Sequence, residues 1–341
     1  MAKIDIFAPQ EKTMVNSLAG VKITIAGKND VGKTYQATRF PKPMLLMAET
    51  GGAARTVPKF PIPDWPTFTS IVKQLVADPE RTLQTYQTVI IDTTEELVAR
   101  CEEAVAKRYG VEEVGMVQQA DPKNNPNGYS VARAKFKQQI NLLTSIGLTV
   151  VFITHTEEVE EEDPITGEKR IKTYPYNYTK EKGSTRFVIN LCDFVVMCVA
   201  SGVDPETHKT IYSRAICKET NKVFARSRFT QMQTFIEKFT AENLIEAIKT
   251  AIEKEAENEG AGLVEYSREN VGFTKEDYIS MIQPYFKKLL KIYPDYVQST
   301  VAENLGEGRK ISAATDDDVQ NLANIYNDFV SFACDKGIVV E

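Results

Sequence analysis

A chain of 341 residues with 42% hydrophobic content can bury a large core and still supply a smaller second domain. Its net charge of −6 argues against a strongly basic DNA-coating protein, its two histidines exclude a histidine-rich metal site, and no apolar run approaches the ~20 residues of a membrane span. Five scattered cysteines (Cys101, Cys192, Cys198, Cys217 and Cys334) form no CxxC pair and, with an amino terminus lacking a signal-peptide pattern, point to reduced core thiols in a cytoplasmic protein.

The β-branched run at residues 21–26 predicts a buried strand, and residues 34–40 predict a helix that Pro41 stops. Between them, Gly27, Lys28, Asn29, Asp30, Val31, Gly32, Lys33 and Thr34 spell GxxxxGK[ST], the Walker A phosphate-binding loop. Its glycines let successive N–H groups face phosphates, and the helix start adds its positive end. Lys33 would then reach the β- and γ-phosphates of ATP, and the Thr34 hydroxyl would hold Mg²⁺.

Residues 43–48 form a second short strand that ends at Glu49, just ahead of Gly51 and Gly52. A third strand at 88–91 ends in Asp92, the acid expected to order Mg²⁺ opposite Thr34, and a helix follows from about 95 to 109. Hydrolysis also needs a carboxylate that polarises water. Glu49 is favoured, because a strand-end acid beside a Gly-Gly turn can face the nucleotide. Glu95 is the alternative, although an acid there also suits the start of a helix. A fourth strand at 148–153 ends in Thr154 and His155, placed at a strand C-terminus where ligands of parallel sheets bind and where either could sense the γ-phosphate.

Residues 110–128 contain a turn-rich stretch, and Gly128-Tyr129 opens a helix. The acidic run 157–163 and the basic run 169–172 flank Pro164 to Gly167, which predicts a β-hairpin. Tyr174, Tyr176 and Tyr178 then alternate, followed by Lys180, Lys182 and Arg186. Strands at 194–200 and 210–217 extend the sheet in antiparallel fashion. A helix at 231–258 with one apolar face comes next. The expected division is an ATPase domain at 1–258, a linker at 259–263 and a small helical domain at 264–341, with helices near 278–293 and 316–337.

The ordered set of GKNDVGKT, MLLMAETGG, TVIID, Gly128-Tyr129 and VVFITH resembles the RecA-like P-loop ATPases of bacteriophages. That group includes ATP-binding single-strand-annealing and recombinase proteins, and it is distantly similar to RecA, RadA and hexameric replicative helicases. The resemblance covers about residues 18–230. It implies an α/β fold with a RecA-like core and a mainly parallel sheet, and it places the catalytic acid after the second strand, at Glu49. It also implies that Arg226 and Arg228, one apart on a strand at 224–229, reach the γ-phosphate held by a neighbouring subunit.

Loops in such motors line a DNA channel, so Lys172, Tyr174, Tyr176, Tyr178, Lys180, Lys182 and Arg186 are the residues expected to stack on and neutralise single-stranded DNA. A hairpin of complementary charge folded on itself is the alternative for this segment. The function implied is an ATP-hydrolysing DNA recombination protein that anneals or exchanges strands as a ring or filament, in the host cytoplasm if phage-encoded. Its carboxy-terminal domain would serve a single-strand-binding or other replication or recombination protein. A hexameric helicase or helicase loader shares every motif, and an ATP-gated adaptor without DNA contact is a third reading.

Overall fold

The structure is a computed structural model that describes residues 12–49, 56–123, 125–163, 166–181, 183–208, 210–266, 275–315, 318–336 and 338. The chain runs through β1 (Thr13–Val15), β2 (Lys22–Gly27), α1 (Lys33–Ala37), β3 (Pro43–Met47), β4 (Lys59–Pro61), α2 (Trp65–Ala77), α3 (Pro79–Thr85), β5 (Thr88–Asp92) and α4 (Thr94–Arg108). It continues with α5 (Val117–Ala120), α6 (Gly128–Ser145), β6 (Thr149–Thr154), β7 (Thr156–Glu162), β8 (Lys169–Pro175), α7 (Arg186–Leu191), β9 (Phe194–Val203) and β10 (Thr210–Ile216). Last come β11 (Arg226–Ser227), β12 (Phe235–Ile236), α8 (Ala241–Glu259), β13 (Gly262–Val264), α9 (Lys275–Ile292), α10 (Pro294–Leu305) and α11 (Val319–Asp335).

The fold is mixed α/β around a mainly parallel sheet, as the strand pattern predicts. Among the described residues the main sheet has nine strands. Its parallel part runs in the order β9-β2-β6-β5-β3-β4, and β10, β12 and β11 extend it with antiparallel pairings beside β9. Strands buried on both faces need near-continuous apolar runs, and these have them: Ile23, Ile25, Val89, Ile90, Ile91, Val150, Val151 and Phe152 are fully buried. All six parallel strands point the same way, so the chain segments after β2, β3, β5 and β6 emerge at one end of the sheet.

Several elements differ from the sequence expectation. The helix expected at 34–40 is regular only over Lys33–Ala37, and residues 38–40 close in tighter turns. The helix expected at 231–258 starts only at Ala241. Ahead of it, Phe235 and Ile236 pair with β10, and the Thr240 side chain caps α8 by accepting the Asn243 N–H. The expected linker at 259–263 is not a bare connection. Gly260, at φ 63°, caps α8, and residues 262–264 pair in parallel with β1.

The described residues cluster into two compact units. One holds those within 1–65, 83–100 and 147–267, and with them the whole nine-stranded sheet. The other holds those within 66–82, 101–146 and 268–341, so its helices come from three stretches of chain and not from the carboxy-terminal segment alone. Its carboxy-terminal helices pack around Ile282, Leu289, Val297, Leu322, Ile325 and Phe329, all nearly inaccessible to solvent.

Candidate nucleotide site

β2 ends at Gly27, where any side chain would collide. A Cβ there would stand 2.8 Å from both the Cys198 carbonyl oxygen and Val31 Cγ2. Gly32 sits at φ 84° as the residue ahead of α1, a left-handed conformation that glycine adopts without strain. Behind the loop, the Ser213 hydroxyl of β10 donates to the Val31 carbonyl at 2.9 Å. Sequence reasoning missed Ser213, because a β10 hydroxyl meets the loop only through the fold.

Lys33 is 7% exposed, and its ammonium donates to the carbonyls of Gly27 and Lys28, each at 2.8 Å. Burial pulls its pKa below the ordinary lysine value, against the opposing influence of Asp92, Glu95 and Asp30. The Thr34 hydroxyl donates to Asp92 Oδ2 at 2.8 Å. Burial pushes the Asp92 carboxyl up, while the Thr34 bond and Lys33 pull it down. Strand register explains the meeting: Ala26 pairs with Thr154, and Ile153 pairs with Asp92, so the three strand ends align.

Glu49 is exposed just past β3, and its backbone N–H donates to the Asp92 carbonyl at 3.2 Å. Glu95 behaves differently. Its Oε1 accepts both the His155 backbone N–H at 3.2 Å and the ring Nδ1–H at 2.6 Å, and its side chain is 9% exposed. That bond raises the His155 pKa, which burial and Lys33 oppose. Thr94 holds the α4 start in place by donating to the Ile153 carbonyl at 2.8 Å.

The phosphate loop, Thr34, Asp92, Glu49, Glu95, Thr154 and His155 therefore share one end of the sheet. This arrangement fits a magnesium nucleotide. Thr34 and Asp92 would supply two protein oxygens, which suits an ion that keeps waters and takes phosphate oxygens. Among the described residues, the buried hydroxyls of Thr93 and Thr154 have no hydrogen-bond partner.

The other expected site residues lie elsewhere. The strand expected at 224–229 shrinks to Arg226–Ser227, because Phe224 turns into a ring cluster with Tyr174 and Tyr178. The Arg226 guanidinium donates to the carbonyls of Asn190 and Cys192, and Arg228 pairs with Asp193 at 3.1 Å. Both side chains thus serve the turn that feeds the start of β9. The phosphate loop adjoins the other part of that strand, through the Gly27–Cys198 pair.

β7 and β8 form the expected hairpin, and its charges pair internally. Lys169 meets Glu160 at 2.9 Å, and Arg170 meets Glu161 and Asp163 at 2.8 and 2.7 Å. Lys172 is buried and pairs with Glu219. Tyr174 stacks on Tyr178 with ring centroids 5.6 Å apart and donates its hydroxyl to Glu161 at 2.6 Å. Arg186 lies over the Tyr178 ring and donates to its carbonyl. Tyr176 is 37% exposed, with Lys180 over its ring. Lys182 falls outside the described residues. Of the expected DNA-stacking set, Tyr176, Lys180 and Arg186 are thus the exposed members among the described residues. No helix among the described residues is long and apolar enough to cross a membrane.

Comparison with known proteins agrees with this geometry. An AAA domain family, AAA_24, matches residues 19–229, from just ahead of β2 to just past Arg228. The chain is also 32% identical over 338 residues to the SPbeta prophage-derived uncharacterized protein YorG of Bacillus subtilis (strain 168), covering 95% of this chain and 97% of that protein.

Proposed function

Because the chain belongs to the AAA domain family and is a P-loop ATPase, we propose that it is a RecA-like motor of phage DNA metabolism, one that couples ATP hydrolysis to annealing or exchange of single-stranded DNA. The observation that supports this reading best is the Thr34–Asp92 hydrogen bond across β6, with Glu49 beside it at the same sheet end. In this reading the loop N–H groups and Lys33 bind the phosphates. Thr34 and Asp92 hold Mg²⁺, which neutralises developing phosphate charge when bound. Glu49 accepts the proton of the attacking water, since its carboxylate is exposed while Glu95 is already occupied by His155.

The DNA part of the proposal draws on the motif order and on the prophage origin of the similar protein. It places the protein in the host cytoplasm and has it assemble into a ring or filament. Arg226 and Arg228 complete a neighbour's site, and the carboxy-terminal helices receive a replication or recombination partner. Phosphate release measured with and without single-stranded DNA, over a range of protein concentrations, tests both parts. A specific rate that rises with concentration and with DNA is expected; a rate indifferent to both would refute the DNA-coupled oligomer and leave only the ATPase.

A further inference from the structure

Arg100 stands on α4, two turns past Glu95, and its guanidinium reaches the segments that follow β3 and β4. One terminal nitrogen donates to the Ala48 carbonyl and the other to the Pro63 carbonyl, the latter at 2.6 Å. Its Nε is buried and, among the described residues, has no hydrogen-bond partner, a cost that the two carbonyl bonds offset. The Ala48 carbonyl belongs to the peptide group that joins Ala48 to Glu49. The N–H of that same group donates to the Asp92 carbonyl at 3.2 Å, and the Ala48 N–H donates to the same oxygen at 2.7 Å. One peptide plane is therefore gripped at both ends, its oxygen by a guanidinium and its nitrogen by the backbone of β5. Pairing with β4 does not reach this far. It covers Leu45 to Met47, and the last backbone bond on that flank among the described residues runs from the Ile62 N–H to the Met47 carbonyl at 2.7 Å. For the Ala48 carbonyl, Arg100 takes the place of a strand partner, and a cationic donor holds a carbonyl more firmly than an amide does.

We infer that Arg100 is a positioning residue for Glu49, which fixes the peptide plane ahead of Glu49 and so sets the direction in which its carboxylate leaves the backbone toward the attacking water. The inference rests on the ATPase reading of this site, with Glu49 as the base, and adds to it the residue that aims that base. A peptide group is planar, so fixing it fixes the Glu49 Cα, and one rotation, about the N–Cα bond, is left to place the Cβ. A base displaced by about 1 Å loses on the order of 10²-fold in rate, so a plane free to tilt at this point would be felt in the chemical step. Nucleotide affinity, which comes from the phosphate loop and Lys33, does not depend on it.

The test uses the full-length chain and four variants: Arg100→Ala, Arg100→Lys, Glu49→Gln and the Arg100→Ala/Glu49→Gln double. A fluorescent ATP analogue gives affinity, phosphate release in steady state and in single turnover gives kcat and KM, and circular dichroism checks folding. Arg100→Ala should lower kcat about 10- to 10²-fold and leave ATP affinity within about threefold of normal. Arg100→Lys keeps the charge but reaches one carbonyl at a time. Its kcat should fall between the two, and it carries the same comparison if the alanine variant does not fold. In the Glu49→Gln background the loss of Arg100 should cost nothing further, because it acts through a carboxylate that is no longer there. A brace with no part in aiming Glu49 would cost the same in both backgrounds.

Two results would overturn the inference. One is an unchanged kcat in the folded Arg100→Ala protein, or in Arg100→Lys where the alanine variant does not fold. The other is a loss of kcat as large with Glu49→Gln as without it. Failure of the underlying reading looks different. Full turnover by Glu49→Gln would remove Glu49 as the base, and an unsubstituted protein that neither binds ATP nor releases phosphate would remove the ATPase.

Discussion

The Lys33 ammonium braces the phosphate loop by donating to two of the loop's own carbonyls. Lys33→Ala removes both that bracing and the charge. It should lower kcat/KM for ATP by about 10²–10³-fold, checked by phosphate release and nucleotide titration. Glu49→Gln should leave nucleotide affinity near normal and cut kcat about 10²-fold or more; full turnover would return the search for the base to Glu95. The His155–Glu95 pair makes a stability prediction as well. The folded-state pKa of His155 lies above its unfolded value, so its contribution is complete below about pH 6.5 and fades as pH rises through the raised pKa. Urea unfolding across that window should show a loss in the native chain that is absent in His155→Gln.

The elements place these residues with different degrees of local control. In α6, Gly128 lies so close to the preceding turn that a Cβ would sit 2.1 Å from the Val114 carbonyl oxygen. Gly128→Ala should destabilise the protein by about 1–3 kcal/mol, measurable by chemical unfolding. The phosphate loop, Asp92 and the Thr154-His155 strand end were legible in the sequence because each is a local pattern, a strand followed by a polar residue or a glycine turn. The Thr34–Asp92 contact could be anticipated from chemistry alone. β12 could not, because Phe235 and Ile236 fit a helical period as well as a strand pair, and only their partners in β10 decide between the two. The pairing of residues 262–264 with β1 was hidden for the same reason. The hairpin was legible from its turn, and its complementary charges left self-pairing open as an alternative, but the partners that Lys172 and Tyr174 find outside the hairpin were not legible. That outcome depends on Glu219 and Phe224, which arrive from a distant part of the chain.

At the scale of the whole molecule, Arg226 and Arg228 meet carbonyls and a carboxylate of residues 190–193 within their own chain. A role for them in hydrolysis therefore belongs to assembly with a second copy. Mixing Arg226→Ala with Lys33→Ala protein should restore part of the activity that each lacks alone; no recovery at any ratio would confine Arg226 to bracing the turn before β9. The hairpin adds a mechanical side to the site. β6 does not stop at the candidate nucleotide site but runs through His155 directly into β7, and the Tyr176 N–H binds the His155 carbonyl at 2.9 Å. The seven residues of β7 make an arm of roughly 23 Å at ordinary strand rise. Its only footing in the phosphate loop among the described ion pairs is Lys28 to Glu158. His155 thus joins the strand end of the candidate nucleotide site to a hairpin that is anchored again at its far strand, where Lys172 meets Glu219 and Tyr174 meets Phe224. A hairpin held at both ends can register occupancy of the site without leaving its place, and slowed amide exchange at Tyr176 on adding ATP is the expected sign of that coupling.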